Sequence, residues 1–154
     1  MRVVILAVGR LARAPETELV RLYADRATAA GRALGLGPVE IVEVEGRKPG
    51  KAAEAEALRP HFKDAHVLVC DERGQARTSR AFAEEIARLR DDGTRRLVLV
   101  IGGADGLDPT LMGEAQGRLA FGPQTWPHAL VRAMLAEQVY RAVTILAGSP
   151  YHRD

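Results

Sequence analysis

Apolar residues recur along this chain in two rhythms, unbroken runs of five or six and a longer spacing of three to four. Val3-Val4-Ile5-Leu6-Ala7-Val8 is such a run, as expected of a strand covered on both faces. Pro15 and Glu16 then open a helix to about Leu34, with Leu19, Val20, Leu22, Tyr23 and Ala27 assigned to its inner face. Gly35, Gly37 and Pro38 end it. Val39–Val44 reads as a second strand, and a short Ala/Glu-rich helix stops near Pro60. His66–Cys70 is a third strand, ending at the turn Asp71-Glu72-Arg73-Gly74. Thr78 or Ser79 caps a helix to about Arg90, with Phe82, Ile86 and Leu89 at core spacing. Leu97–Ile101 is the fourth strand, Asp108-Pro109 starts a short helix, and Leu119–Phe121 is a candidate fifth strand. Strands alternating with helices predict an α/β fold, a mostly parallel sheet flanked by helices. Ligands on such sheets bind beyond the carboxyl ends of the strands, which selects the loops after Cys70, Ile101 and Phe121.

The last helix, from about His128 to Leu146, is apolar on nearly every face. Such a helix is buried on more than one side, either at the centre of the core or against a partner subunit, and a homodimer is the expectation. Arg132, Glu137, Gln138, Arg141 and Thr144 interrupt it, and charges at its centre exclude a membrane span. Glu137 and Arg141 have the favourable i,i+4 order, which on a surface is worth about 0.5 kcal/mol or less.

Composition narrows this picture. A length of 154 residues fits one domain, 1–154, able to bury a core without staples. The single cysteine, Cys70, allows no intrachain disulfide, which suits the cytoplasm. The first apolar run is too short for a membrane span and lacks a signal-peptide cleavage region. Net charge is only +2, so basic residues matter only where they cluster. Arg10 with Arg13, then Arg47, Lys48 and Lys51, then Arg132, Arg141 and Arg153, are groups able either to meet phosphate or simply to be solvated.

Candidate chemistry lies in the loops and at the chain end. Gly102-Gly103-Ala104-Asp105-Gly106 follows the most apolar strand; its glycines let backbone N–H groups approach a ligand, or make a tight turn with no ligand. The first strand is followed by Gly9-Arg10-Leu11-Ala12, which lacks dinucleotide spacing, and no Walker loop exists. Cys70 has Asp71 beside it, which disfavours a thiolate, so a structural or cofactor-lining role fits better than nucleophilic catalysis. His61, His66, His128 and His152 show no metal-ligand spacing, and no metal is expected. Gly122-Pro123-Gln124-Thr125-Trp126-Pro127 is a loop stiffened by two prolines, a rigid connector or a purine cradle. Just before the final Asp154 stand Tyr151-His152-Arg153, residue types that stack on bases, move protons and bind phosphate.

Taken in order, these segments resemble the RlmH family of rRNA large-subunit methyltransferases, within the SPOUT (α/β-knot) superfamily. The resemblance runs through Val8-Gly9, Gly46-Arg47-Lys48, Asp71-Glu72-Arg73-Gly74 and Ile101-Gly102-Gly103-Ala104-Asp105-Gly106. It continues through Pro127-His128-Ala129-Leu130-Val131-Arg132, Glu137-Gln138-Val139-Tyr140-Arg141-Ala142 and Pro150-Tyr151-His152-Arg153. It implies a C-terminal deep trefoil knot, a homodimer, and S-adenosyl-L-methionine as cofactor. The implied reaction is methylation of N3 of a pseudouridine in 23S rRNA, on the assembled ribosome. Cofactor contacts carry over to Cys70, Gly102, Phe121, Gly122, Pro123, Gln124, Thr125 and Trp126. Cys70, Gly122 and Trp126 depart from the family's usual residues, so backbone contacts are expected to persist there. His128, Arg141, Tyr151, His152 and Arg153 are expected on the substrate side, with His152 as the base, and the tail beside the cofactor loops or across a dimer interface. A non-catalytic dimeric ribosome-binding protein, or a SPOUT methyltransferase with another RNA target, would carry much of the same pattern.

Overall fold

The computed structural model describes residues 1–152. Five strands, β1 (Arg2–Val8), β2 (Val39–Val44), β3 (His66–Ala76), β4 (Arg96–Ile101) and β5 (Gly117–Ala120), form one sheet in the order β2-β1-β4-β3-β5. Every pairing is parallel, with Ile5 beside both Ile41 and Leu99, and Leu68 beside Leu99. The apolar runs are explained by two cores, because successive side chains of a strand point to opposite faces. Val3, Ile5, Leu97 and Leu99 meet α1 (Pro15–Gly31), α3 (Ser79–Asp91) and α5 (His128–Leu146) on one face. Val4, Leu6, Val98 and Val100 meet α2 (Lys51–Leu58) and α4 (Pro109–Glu114) on the other.

The predicted elements are present, with three corrections. The inner face of α1 is Val20, Ala24, Ala27 and Gly31, whereas Leu19 and Leu22 are 40% and 42% exposed. Positions 20, 24, 27 and 31 form one stripe at helical spacing; 19 and 22 lie off it. The third strand does not end at Cys70. It resumes pairing with β5 after an excursion, so that Cys70 and Gln75 both face Leu119. Gly74 makes that possible, since a Cβ there would come within 2.9 Å of Asp71 O and Leu119 C. The fifth strand is Gly117–Ala120, leaving Phe121 to the loop that follows. Two caps are as expected: Thr78 Oγ1 accepts from Ala81 N at 3.1 Å, and Asp108 Oδ1 from Thr110 N at 2.8 Å.

The last helix is apolar on many faces because it lies on the sheet between α1 and α3. Its first turns are bolted to the far half of the sheet by Arg132, which is only 2% exposed. Arg132 Nη2 donates to Val8 O (2.6 Å) and Gly9 O (2.8 Å), and Nη1 donates to Glu43 Oε1 (2.8 Å). Burial lowers the pKa of this guanidinium from its ordinary value, and Glu43 acts against that. Leu11 N donates to the same Glu43 oxygen at 3.0 Å, so this carboxylate also pins the β1–α1 loop. Among the described residues no helix is long and apolar enough to cross a membrane.

Candidate active site

Strands β3, β4 and β5 end side by side, and the loops leaving them enclose a cavity of about 440 Å³. That volume lies within the range for a small organic ligand, roughly 300–1,000 Å³. Its walls are Cys70–Arg73, Ile101–Leu107, Leu119 and the loop from Phe121 to Trp126, with Lys51 at one side and His128 and Val131 at another. The three loops selected at strand carboxyl ends thus meet around one space. Of the expected cofactor residues, Cys70, Gly102, Phe121, Gly122, Gln124, Thr125 and Trp126 line it; Pro123 lies in the same loop but is not part of the lining.

Each wall is held by identifiable contacts. A Cβ on Gly102 would meet Leu107 Cγ at 2.9 Å, and one on Gly103 would meet Glu54 Oε1 at 2.7 Å. Gly106 has φ +78°, a conformation L side chains rarely adopt. The turn therefore closes on itself, with Gly106 N donating to Gly103 O at 3.0 Å, and offers its edge to the cavity. Gly122 has φ +97°, and Trp126 Nε1 donates across that loop to Phe121 O at 3.3 Å. Thr125 Oγ1 donates to Glu72 Oε2 at 2.9 Å, joining this loop to the β3 excursion. Burial pushes the Cys70 thiol up to about 12, which leaves it a small apolar wall residue and no nucleophile.

The expected substrate-side residues fall into two groups. His128 lines the cavity, beside Val131, which was not among the expected residues. Arg141 and Tyr151 gather further along α5, around a residue that sequence reasoning had reduced to a surface bridge. Glu137 Oε1 accepts from Arg141 Nε (2.9 Å), Arg141 Nη2 (2.5 Å) and Tyr151 Oη (3.0 Å). Tyr151 stacks obliquely on Tyr140, with ring centroids 4.6 Å apart, and Arg141 Cζ lies 5.1 Å from its ring centroid. Burial, followed by hydrogen bonds with Tyr23 and Glu137, raises the Tyr151 phenol above its ordinary value. Hydrogen bonding to Glu137 raises Arg141, which stays charged. Neither Tyr151 nor His152 lines the cavity, and Arg153 lies outside the described residues.

Glu72, Arg132 and Glu137 stand in the quoted motifs without the roles the structure gives them, and Glu43 stands in none. The Glu137–Arg141 spacing was visible, but its burial by Tyr151 depends on a chain reversal after α5. Arg132 and Glu43 are 89 positions apart, and local pattern carries no trace of their pairing.

A family model described as "Predicted SPOUT methyltransferase" matches residues 1–152 of the chain. The chain belongs to the SPOUT methyltransferase family. Three relatives of this methyltransferase bear the name ribosomal RNA large subunit methyltransferase H. The protein from Phenylobacterium zucineum is 80% identical over 154 residues, covering 100% of both chains. That from Caulobacter sp. strain K31 is 71% identical, again over 100% of both. That from Caulobacter vibrioides is 67% identical, over 100% of this chain and 99% of its own. Among solved structures, the SpoU methyltransferase AviRb from Streptomyces viridochromogenes, in complex with AdoMet, is 16% identical with a TM-score of 0.47. That match covers 96% of this methyltransferase and 59% of the AviRb chain.

Proposed function

We propose that this protein transfers a methyl group from S-adenosyl-L-methionine to N3 of a pseudouridine in 23S rRNA on the assembled ribosome, as a cytoplasmic homodimer. The observation carrying this reading is the cavity itself, which gathers the cofactor-binding positions implied by the family at the carboxyl ends of three adjacent strands. Relatives sharing 67–80% of the sequence over its full length carry the name of a ribosomal RNA methyltransferase. The reading includes the superfamily's trefoil knot, in which the C-terminal segment threads a loop, an exception to the general absence of knots.

The residues fit the cofactor. Gly102 and Gly103 let the turn pack tightly on Leu107 and Glu54, Gly106 leaves open space where a side chain would stand, and Cys70 would present the cofactor an uncharged thiol in the wall. Bound there, the cofactor supplies an electrophilic methyl group. The chain supplies orientation and proton handling. The 121–126 loop, tied to Glu72, holds the cavity in shape before substrate arrives. Glu137 fixes Arg141 and Tyr151 together, giving a cation to balance charge developing on the base and a ring on which the base can stack. His152 takes the N3 proton and Arg153 holds phosphate in this scheme.

His128 and Arg141 stand thirteen positions apart, about 20 Å along a helix. One chain therefore offers the cavity at one end of α5 and the Tyr-Arg-Glu cluster towards the other, and a second chain laid across α5 joins them. Exposed Leu19, Leu22 and Leu130, on the neighbouring helices α1 and α5, supply an apolar surface for that pairing.

The test is incubation of the protein with labelled S-adenosyl-L-methionine and either unmethylated ribosomes or free 23S rRNA, followed by mapping of the label. Label on N3 of one pseudouridine, favoured in ribosomes, is expected. Cofactor binding without transfer to any rRNA would overturn the proposal.

A further inference from the structure

The cavity occupies the β4-β3-β5 side of the sheet's carboxyl edge. Beside it, the loops leaving β1 and β2 are neighbours, because Val8 is in register with Val44 and Gly9 N donates to Val44 O at 2.8 Å. These two loops carry Arg10, Arg13, Arg47 and Lys48, all exposed, and Lys51 follows at the cavity wall. Some arginines elsewhere are engaged by carboxylates, among them Arg59 by Glu114, Arg77 by Glu85, Arg118 by Asp71 and Arg141 by Glu137. Among the described residues none of the four loop cations is held by a carboxylate, although Glu45 shares their loop.

Their loops are nevertheless fixed. The first is held by Leu11 N to Glu43 Oε1 (3.0 Å) and by Thr17 Oγ1 to Ala12 O (2.8 Å), and Glu43 is itself locked to buried Arg132. The second lies so close to α2 that a Cβ on Gly46 would meet Ala53 C and Glu54 N at 3.1 Å. Anchored backbone with free cationic ends suits a ligand whose charge repeats at intervals and whose identity is read elsewhere.

We infer that Arg10, Arg13, Arg47 and Lys48 form a docking rail for the phosphodiester backbone of the RNA that delivers its base to the cavity. This rests on the rRNA methyltransferase reading above and adds to it the surface that holds the strand beside the target. Its contribution is salt-sensitive and independent of base identity, since phosphate contacts position whereas base contacts specify.

The experiment compares wild type with the double variants R10E/R13E and R47E/K48E, and with a control, K63E/R95E, whose exposed cations lie at the amino edge of the sheet. Each is titrated with unmethylated ribosomes and with protein-free 23S rRNA across a potassium chloride series, alongside calorimetry with S-adenosyl-L-methionine. Both rail variants are expected to keep cofactor affinity within about twofold. Their RNA affinity should fall at least tenfold, and the slope of log K against log salt should flatten by roughly 0.7–0.9 per lost contact. The control should match wild type. Wild-type RNA affinity and slope in the rail variants would overturn the rail. So would loss of ribosome binding with unchanged binding to protein-free rRNA, which would point to a ribosomal protein. Failure of the enzymatic reading shows differently: wild type would bind RNA with the full salt slope and methylate nothing.

Discussion

Tyr151 donates a 3.0 Å hydrogen bond to Glu137 Oε1, the same oxygen that Arg141 grips with two nitrogens. A residue near the chain end thereby packs against a charged pair in the middle of α5, where its phenol and the guanidinium share one acceptor. Tyr151→Phe removes the donor and leaves the ring on Tyr140. A hydrogen bond to a charged group is worth about 1.5–3 kcal/mol. The single-turnover methylation rate should therefore fall roughly tenfold or more, with cofactor affinity by calorimetry unchanged. An equal loss in both would show that the contact supports the fold and not the chemistry.

The same phenol carries a pH signature. Its raised pKa means that the docked tail holds the proton more tightly than an unfolded tyrosine does, whose value is about 10. The stabilisation is complete below that value and is lost as pH rises towards the folded one. Ultraviolet titration of the wild type should show a late phenol ionisation that Tyr151→Phe lacks.

Arg132 is a buried cation with one carboxylate partner and two carbonyls. Glu43→Ala leaves that charge without its counter-ion, and breaking a buried pair costs about 3–5 kcal/mol. The Glu43 side chain is partly open to solvent, which puts the loss at or below the lower end of that range. Urea unfolding should show the midpoint shift. A change no larger than that of Glu40→Ala on the same strand would contradict the bolt.

Leu135 and Leu22 separate fold from assembly. Leu135 is 0% exposed, so Leu135→Asp should cost more than about 4 kcal/mol and leave little folded protein. Leu22 is turned outward on α1, so Leu22→Asp should preserve thermal stability of the single chain while light scattering reports monomers. A monomeric wild type would remove the dimer from the proposal.

Cys70 should resist alkylation. With its thiol pushed up to about 12, iodoacetamide at pH 8 should modify the native protein far more slowly than the urea-unfolded chain. Rapid native modification would place the thiol in a more polar setting than the cavity wall described above.

Local rhythm revealed the elements well where one answer satisfied it. β2 at Val39–Val44 and α5 at His128–Leu146 have the bounds read from the chain, because a turn signal or proline stands at each end. Rhythm failed for Leu19 and Leu22, since an alanine-rich stripe at 20, 24 and 27 competes with a leucine-rich one and bulk favoured the wrong side. β3 ran further than its apolar core because Gly74 admits a backbone excursion, which depends on Leu119, a residue 45 positions later. The cavity loops were legible as segments following the carboxyl ends of three predicted strands, with the cofactor positions in them supplied by the family resemblance. The Glu137 cluster was not, since its burial depends on where the chain turns after α5.

The Arg132 bond to Val8 O joins residues 124 positions apart. Contacts of such separation are slow to form, because the intervening chain must first be ordered. At about 5–20 residues per second, the carbonyls of Val8 and Gly9 wait roughly 6–25 s after their own synthesis before residue 132 is made. The carboxyl end of β1 is thus translated long before the helix that locks onto it. Nascent chains caught in that interval would expose Ile5, Leu97 and Leu99, and ought to be the ones that a chaperone retains.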